Sequence, residues 1–272
     1  MRPRLILCDI DGTLVVKYEN IRDYTRKIIE TCQRNGVLFG LATGRPLNQT
    51  KYIIDQYGIK VDILLCSNGC EIYDCNTGEY TKTDYMKPEW IKETFEIMEP
   101  FSASPRVVTT EGLEIVPEMD EIVINSSKIG DLTIKVTQNI DDYCVDVPKI
   151  MYLVNANEMS EIENYLSHLD NEHFTSFKTQ PFLIEFASKK ASKANAMLKY
   201  CNENNIAIED VIAFGDTTND NEMLIKAGVG VCLANGSQDT KDIADYITKY
   251  PVQEEGLGHF LEEYVVKPNN WE

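Results

Sequence analysis

Short apolar runs recur along the first third of the chain at the spacing of buried strands. Residues 5–8, 37–42 and 63–66 contain almost nothing but apolar side chains and glycine. A run that is apolar at every position predicts a strand covered on both faces, whereas a strand with one wet face would alternate. We therefore predict three buried strands in this part of the chain.

Two segments between these runs have helical spacing. Residues 21–35 carry apolar side chains at roughly every third or fourth position, and Asn20 stands where a helix N-cap is expected. Residues 47–57 form a second such segment, which ends at Gly58. Because short turns join the alternating strands and helices, the pattern predicts an α/β fold with a doubly wound, Rossmann-like parallel sheet as its core.

The pattern changes near Asp84 and returns near Lys193. Strands predicted at 150–154 and 182–186 surround an acidic helix at about 158–169, which is a mixed α+β pattern. We interpret this middle third as a second domain inserted into the first. The predicted bounds are 1–83 for the first part of the core, 84–187 for the inserted domain and 188–272 for the second part of the core.

Two aspartates stand where the first predicted strand ends. Asp9 and Asp11 are two residues apart, so an extended chain would send both carboxylates to the same side. Gly12 permits a sharp turn directly after them. A turn alone would also explain Asp-x-Asp-Gly, but ligands of open α/β sheets bind at the carboxyl ends of strands. Two anions beside a core require a compensating cation or proton.

Three further strand ends carry polar residues. They are Thr43-Gly44-Arg45, Ser67-Asn68-Gly69, and Asp216 with Asn219 and Asp220 after a strand predicted at 211–214. In a parallel sheet all of these lie along one edge. Three or four carboxylates converging there, without a histidine or thiolate pattern, form a hard oxygen site that prefers Mg²⁺ and can share it with a substrate phosphate.

Simpler explanations exist for three of these residues. Asp220 fits the first turn of a helix, whose dipole stabilises a carboxylate. Thr43 fits a helix N-cap, although Gly44 and the helix behind it would offer backbone amides to an anion in either case. Lys193 fits an ordinary solvated lysine, and only its position before an amphipathic helix and a core strand favours a site.

Composition narrows the classes of partner. The formal net charge of −18 disfavours nucleic acid and anionic membranes, because both bind basic surfaces. The longest apolar run falls short of the roughly 20 residues of a membrane span. Eight cysteines without a Cys-x-x-Cys pair are typical of reduced thiols in a cytoplasmic protein. The charge does not exclude a small anionic molecule, because a few local cations can dominate a pocket, and the long-range field favours divalent metal ions. No feature indicates an oligomeric state.

The sequence Asp9-Ile10-Asp11-Gly12-Thr13-Leu14 resembles the first motif of the haloacid dehalogenase-like phosphatases. Thr43, Lys193 and Gly215-Asp216 with Asn219-Asp220 resemble the second, third and fourth motifs in order and spacing. The insertion between Thr43 and Lys193 resembles the type IIB cap of the Cof-like subfamily, as do Ser67-Asn68-Gly69 and Thr43-Gly44-Arg45-Pro46. The resemblance covers nearly the whole chain and implies an inserted α+β cap domain that closes over the site and selects the substrate.

The resemblance also implies a role for each motif residue. Asp9 would attack phosphorus and form an aspartyl phosphate, and Asp11 would act as general acid and then base. Mg²⁺ would be held by Asp9, the backbone carbonyl of Asp11, and Asp216, with Asn219 and Asp220 orienting these ligands. The substrate-binding residues would be Thr43, Gly44, Arg45, Asn68 and Lys193.

Two positions depart from the subfamily pattern. Ala194 follows Lys193 where glycine is frequent, and Leu233-Ala234-Asn235-Gly236 replaces a more usual Gly-Asn-Ala turn, so Asn235 is assigned no metal role. The predicted function is a Mg²⁺-dependent phosphatase of a small phosphorylated metabolite such as a sugar phosphate. A phosphomutase or phosphotransferase would use the same Asp9 with another acceptor. A regulator that binds metal or metabolite without catalysis is the third alternative.

Overall fold

The computed structural model describes residues 1–16, 19–121, 123–124 and 132–272. The chain forms two compact units, one made of residues 1–83 and 192–272 and the other of residues 84–191. The sequence places the return to the first unit at residue 188, whereas the contacts place it at Ser192, because the last strand of the second unit continues to Ser188. Among the described residues, no helix combines the length and the apolar character that a membrane span requires.

Among the described residues of both units, strands outnumber α-helices. The described strands are β1 (Leu5–Cys8), β2 (Leu38–Ala42), β3 (Ile63–Cys66), β4 (Glu71–Asp74), β5 (Tyr80–Lys82), β6 (Ala103–Val108), β7 (Leu113–Val116), β8 (Thr133–Val136), β9 (Lys149–Val154), β10 (Phe174–Gln180), β11 (Leu183–Ser188), β12 (Val211–Gly215), β13 (Val229–Cys232) and β14 (Tyr246–Ile247). The α-helices with described bounds are α1 (Asp23–Arg34), α2 (Leu47–Tyr57), α3 (Pro88–Met98), α4 (Met159–Leu166), α5 (Lys193–Glu203), α6 (Asn221–Lys226), α7 (Gln238–Ile243) and α8 (Gly256–Leu261).

The sheet of the first unit has β1 near its centre. The strand order is β14-β13-β12-β1-β2-β3-β4-β5, and the strands from β14 to β3 are parallel. Side chains of β1 alternate between two apolar cores, with Ile6 and Cys8 in one and Leu5 and Leu7 in the other. Both faces of the strand are therefore covered, as its apolar sequence predicts.

Helix α1 begins two residues later than predicted and has a different cap. It starts at Asp23, with Arg22 at the N-cap position and no side-chain capping bond there. Instead, the Glu255 carboxylate accepts hydrogen bonds from the Thr25 backbone N–H (2.7 Å) and hydroxyl (3.0 Å). The predicted Asn20 cap is wrong, because a distant residue supplies the acceptor that the helix end needs.

The second unit is an α+β layer. Its sheet has the order β10-β11-β9-β6-β7-β8. Alternate residues of the central strands, such as Tyr152 in β9 and Phe186 in β11, pack against Ile91 of α3 and Ile162 of α4 in a single apolar core. The mixed pattern in the sequence therefore corresponds, within the described residues, to a mainly antiparallel sheet whose apolar core includes α3 and α4.

Candidate active site

Strand β1 brings Asp9 to the carboxyl end of the parallel sheet. The backbone N–H of Asp9 donates to the Phe214 carbonyl at 3.0 Å, so the side chain emerges where pairing with β12 ends. Asp9 is 7% exposed. Its Oδ1 accepts a hydrogen bond from Lys193 Nζ at 2.6 Å. A buried carboxylate therefore meets a buried ammonium group.

Lys193, the first residue of α5, is 1% exposed and also donates to Asp220 Oδ1 at 2.7 Å. The interpretation of Lys193 as a solvated lysine is therefore wrong. The other oxygen of Asp220 accepts the backbone N–H groups of Asp216 (3.0 Å) and Thr217 (3.2 Å), as in a capping box. One oxygen of Asp220 thus caps the turn while the other binds the lysine.

Asp216 directly follows β12 and completes a carboxylate cluster. Its Oδ1 accepts a hydrogen bond from the Thr13 hydroxyl at 2.7 Å. Carboxylate oxygens of Asp9, Asp216 and Asp220 lie within 4.8 Å of one another, close enough to hold a metal ion. Within the described part of the chain, Asp9 and Asp216 each keep one oxygen that accepts no hydrogen bond. Hard oxygen donors with excess negative charge fit a divalent cation.

Burial dominates the electrostatics of this cluster. It raises the pKa of Asp9 to about 7 against the attraction of Lys193, and the pKa of Asp216 to about 6 against the Thr13 hydrogen bond. Burial alone would lower the pKa of Lys193, but the carboxylates of Asp220 and Asp9 outweigh it and raise that pKa. The lysine is therefore charged at neutral pH, where protons compete with a metal for Asp9 and Asp216.

Asp11 lies outside the three-carboxylate cluster and pairs with Arg45. The guanidinium binds both oxygens, with Nε at 2.7 Å from Oδ2 and Nη2 at 2.6 Å from Oδ1. The two side chains are 29% and 20% exposed. A bidentate pair of this kind is the strongest form of carboxylate recognition by a side chain. The structure thus joins a predicted acid and base to a predicted substrate-binding residue.

The Thr43 side chain is buried beside this pair. Its hydroxyl accepts the backbone N–H of Arg45 at 3.2 Å, and its carbonyl accepts the backbone N–H of Asn68 at 2.9 Å. Helix α2 begins only at Leu47, with Pro46 at its N-cap, so the interpretation of Thr43 as an N-cap is wrong. A Cβ at Gly44 would lie 3.2 Å from Asn68 Oδ1, which makes the glycine suited to the close approach of the two loops.

Asn68 and Asn219 connect two strand ends of the sheet. The Asn219 Nδ2 group donates to Asn68 Oδ1 at 3.3 Å, and Asn219 Oδ1 accepts the Thr217 hydroxyl at 2.7 Å. Asn219 therefore contacts neighbours of the carboxylate cluster rather than a carboxylate. The loop after β3 and the loop after β12 meet through these two amides.

Two residues that the sequence analysis leaves without a role lie in the site. Thr13 holds Asp216, and its position directly after Asp11-Gly12 is a signal that could have identified it. Asn235 donates to the Gly12 carbonyl at 2.8 Å and accepts the Val252 backbone N–H at 2.8 Å. Asn235 thus supports the turn after Asp11 from 223 residues away. No local pattern indicates such a contact.

Replacing Gly12 by alanine is expected to displace Asp216. Gly12 has φ +93°, and a Cβ there would overlap the Asp216 carboxylate. We expect about 10-fold or greater loss of metal affinity, plus a backbone cost of about 1–2 kcal/mol. Gly36→Ala is the control, because Gly36 has φ +84° with no atom within 4 Å of the added Cβ. Denaturation and metal titration of both variants test this, and equal metal affinity would contradict it.

The family model described as haloacid dehalogenase-like hydrolase matches residues 6–261. The chain belongs to the haloacid dehalogenase-like hydrolases. Two similar relatives come from Bacillus subtilis (strain 168). Phosphatase YwpJ is 27% identical over 95% of this chain and 98% of its own length. The 5-amino-6-(5-phospho-D-ribitylamino)uracil phosphatase YitU is 26% identical over 97% of this chain and 98% of its own length.

Solved structures share the fold of this hydrolase over both units. A haloacid dehalogenase-like hydrolase from Bacteroides thetaiotaomicron superimposes with a TM-score of 0.81 at 23% identity, covering 96% of this chain and 99% of that one. The subclass IIB sugar phosphatase BT4131 gives a TM-score of 0.76 at 22% identity, covering 96% and 98%. The predicted fold class, a doubly wound core with an inserted α+β domain, is confirmed.

Proposed function

We propose that this hydrolase is a Mg²⁺-dependent phosphatase of a small phosphorylated metabolite, with a sugar or polyol phosphate as its substrate class. The observation that carries the proposal is the buried contact of Asp9 with Lys193 beside Asp216. A carboxylate can approach an anionic phosphoryl group only where positive charge offsets their repulsion. Lys193 supplies part of that charge.

The proposed reaction has two steps on Asp9. Asp9 attacks phosphorus, the bond from phosphorus to the ester oxygen breaks, and Asp11 gives that oxygen a proton. Water then attacks the phosphorus of the aspartyl phosphate and gives a proton to Asp11, while the bond from phosphorus to the Asp9 oxygen breaks. The Asp9 carboxylate is regenerated and inorganic phosphate leaves. Because Arg45 binds both oxygens of Asp11, that pairing has to loosen for the proton transfer.

The carboxylate cluster supports a divalent cation. When bound, Mg²⁺ would neutralise charge on the transferred phosphoryl group. We assign it to Asp9 and Asp216, through the oxygens that accept no hydrogen bond, and to the backbone carbonyl of Asp11. Both oxygens of Asp220 already accept hydrogen bonds, so Asp220, like Asn219, would position the ligands. The proposed substrate-binding residues are Thr43, Gly44, Arg45, Asn68 and Lys193.

The names of two similar proteins support a polyhydroxylated leaving group. YitU is named for a phosphorylated ribityl chain, and BT4131 is called a sugar phosphatase. In both names the phosphate is attached to a carbon chain rich in hydroxyl groups. The net charge of −18 supports a small substrate over a nucleic acid.

Phosphate release from a panel of sugar, polyol, nucleotide and amino acid phosphates, with Mg²⁺ or with EDTA, tests the proposal. Release that requires Mg²⁺ and is fastest with one sugar or polyol phosphate is the expected result. Passage of the phosphoryl group to a second sugar instead of water would indicate a mutase or transferase. Absence of turnover in protein that binds Mg²⁺ would indicate a regulator.

Lowering the pH is expected to weaken Mg²⁺ binding. Since the pKa of Asp9 is about 7 and that of Asp216 about 6, the free protein takes up protons below these values and the metal must displace them. Between about pH 8 and pH 6 the affinity should fall roughly 20-fold, with about half of that logarithmic change or more due to Asp9. Calorimetric titration in buffers of different ionisation enthalpy measures both affinity and protons released. An affinity that is constant over this range would contradict the assignment.

A further inference from the structure

Glu71, the first residue of β4, is a buried carboxylate that the proposed reaction does not use. It is 1% exposed. In the part of the chain that the structure describes, no lysine, arginine or histidine forms an ion pair with it, and its partners are three hydrogen-bond donors. A buried carboxylate without a cation is costly unless donors satisfy it. The role of Glu71 therefore has to be inferred from the groups that donate hydrogen bonds to it.

The three donors come from three different elements. The Ser67 hydroxyl donates to Oε2 at 2.6 Å, and the Leu47 backbone N–H donates to the same oxygen at 3.2 Å. The Tyr80 hydroxyl donates to Oε1 at 3.1 Å. One side chain thus joins the loop after β3, the first turn of α2 and the edge strand β5.

The loop after β3 has an unfavourable backbone conformation. Ser67, Asn68 and Gly69 have consecutive φ values of +51°, +53° and +94°. The left-handed conformation costs a non-glycine residue about 1–2 kcal/mol, so surrounding contacts must hold it. Glu71 holds the Ser67 side chain, and the Arg45 carbonyl holds the Ser67 backbone N–H at 2.8 Å.

The two segments that Glu71 joins to each other carry two residues of the site. Arg45 precedes Leu47 by two positions and binds Asp11. Asn68 follows Ser67 and accepts the amide of Asn219. Glu71 therefore contacts the residue directly before Asn68 and the residue two positions after Arg45.

We infer that Glu71 is a positioning residue of this site. By binding Ser67 and Leu47 it fixes the backbone from which Asn68 and Arg45 reach their partners. Glu71→Leu removes all three hydrogen bonds. Glu71→Gln keeps their pattern, since one amide oxygen can accept from Ser67 and Leu47 while the amide nitrogen donates to the Tyr80 hydroxyl. The inference rests on the proposed function, because turnover is its readout.

Asp62 provides a matched control at the opposite end of β3. It is also 1% exposed, and it accepts the Phe39 backbone N–H at 2.9 Å and the Gln33 amide at 3.1 Å. Unlike Glu71, Asp62 also forms an ion pair with Lys60 at 2.6 Å. Asp62→Asn therefore weakens a buried network of the same sheet at the end away from the polar strand ends of the site. Its stability should fall without a change in kcat/KM, because the polar strand ends of the site lie at the other end of the sheet.

The test measures kcat/KM on the best substrate of the wild-type enzyme, well below the melting temperature. We expect Glu71→Leu to lower kcat/KM about 10–100-fold, with the Mg²⁺ activation constant unchanged because Glu71 contacts no proposed ligand. Glu71→Gln should stay within about threefold of wild type. Ser67→Ala removes a single hydroxyl, so it remains informative where Glu71→Leu fails to fold, and it should lower kcat/KM in the same direction.

Two results would overturn the inference alone. One is wild-type kcat/KM in folded Glu71→Leu or, where that variant does not fold, in Ser67→Ala. The other is an equal loss in Asp62→Asn, which would mean that any weakening of this sheet lowers turnover. A wild-type protein that hydrolyses no phosphate ester would instead overturn the proposed function and this inference together.

Discussion

Asp9→Asn is expected to lower phosphate release on the order of 10⁴-fold or more, because an amide cannot form the aspartyl phosphate and no parallel route replaces that step. The fold should survive, since the asparagine carbonyl can still accept the hydrogen bond of Lys193. Single-turnover assays with excess enzyme measure the loss. Activity above about one hundredth of wild type would assign the nucleophile to another residue.

The same variant is expected to be more stable than the wild type when no metal is bound. Burial raises the pKa of Asp9 to about 7, above the value of about 3.9 of an unfolded chain. In the folded protein Asp9 therefore keeps its proton up to a higher pH than in the unfolded chain, and ionising it above pH 7 costs stability. Asp9→Asn should regain that stability, on the order of 4 kcal/mol at pH 8. This gain should shrink as the pH falls from 7 and disappear below about pH 4, where Asp9 is protonated in both states.

Asp62→Asn should have the opposite pH dependence and serves as the control. Burial alone would raise the pKa of Asp62, but hydrogen bonds from Lys60, Phe39 and two side-chain amides lower it below its usual value. Its ionised form therefore stabilises the fold at neutral pH, and this contribution is lost as the pH falls through the lowered value. Urea denaturation in EDTA at several pH values compares the two variants. The same sign for both at pH 8 would contradict the electrostatic account of Asp9.

Lys193→Met is expected to be the most destabilising substitution in the site. It leaves the buried carboxylates of Asp9 and Asp220 without their shared cation, and breaking a buried pair by removing one partner costs about 3–5 kcal/mol. Turnover should also fall about 10²–10³-fold, because a charge that offsets repulsion at the phosphoryl group is lost. Denaturation in EDTA gives the first effect, and assays at saturating Mg²⁺ give the second.

Lys199→Met on the same helix is the control for Lys193→Met. It makes the same change of residue type, and therefore of helix propensity, at an exposed position. Lys199 pairs with Glu203 one turn away, and both side chains are exposed by more than a third. Exposed pairs contribute little, so this control should keep wild-type activity and lose less than about 1 kcal/mol. Equal losses of stability in the two variants would show that Lys193 does not compensate buried charge.

The first unit was predictable because its strands carry a strong local signal. Strand β1 is apolar at every position and buried at every position. The exposed strand β8, with the sequence Thr133-Ile134-Lys135-Val136, lacks such a run, and the sequence analysis does not find it. The cap of α1 is beyond local patterns for another reason, since Glu255 lies 230 residues from Thr25.

The site was predictable as a set of residues but not as a set of contacts. Asp9, Asp216 and Lys193 stand where strands end or a helix begins, and such positions can be read along the chain. The pairing of Asp11 with Arg45 depends on how two loops meet, which local spacing does not encode. In the sequence Glu71 is a single polar residue between apolar neighbours. Its role becomes apparent only from the hydrogen-bond donors that the fold places around it.

The position of β1 between β2 and β12 has a consequence for biosynthesis. The hydrogen-bonding partner of Asp9, Lys193, lies 184 residues later in the chain, and Thr13 binds Asp216 203 residues later. On the ribosome the site therefore cannot assemble until β12 and the residues after it, as far as Asp220, have emerged. Such long-range pairing is slow to form, so metal binding should report the completion of folding, and a nascent chain truncated before β12 should bind Mg²⁺ weakly.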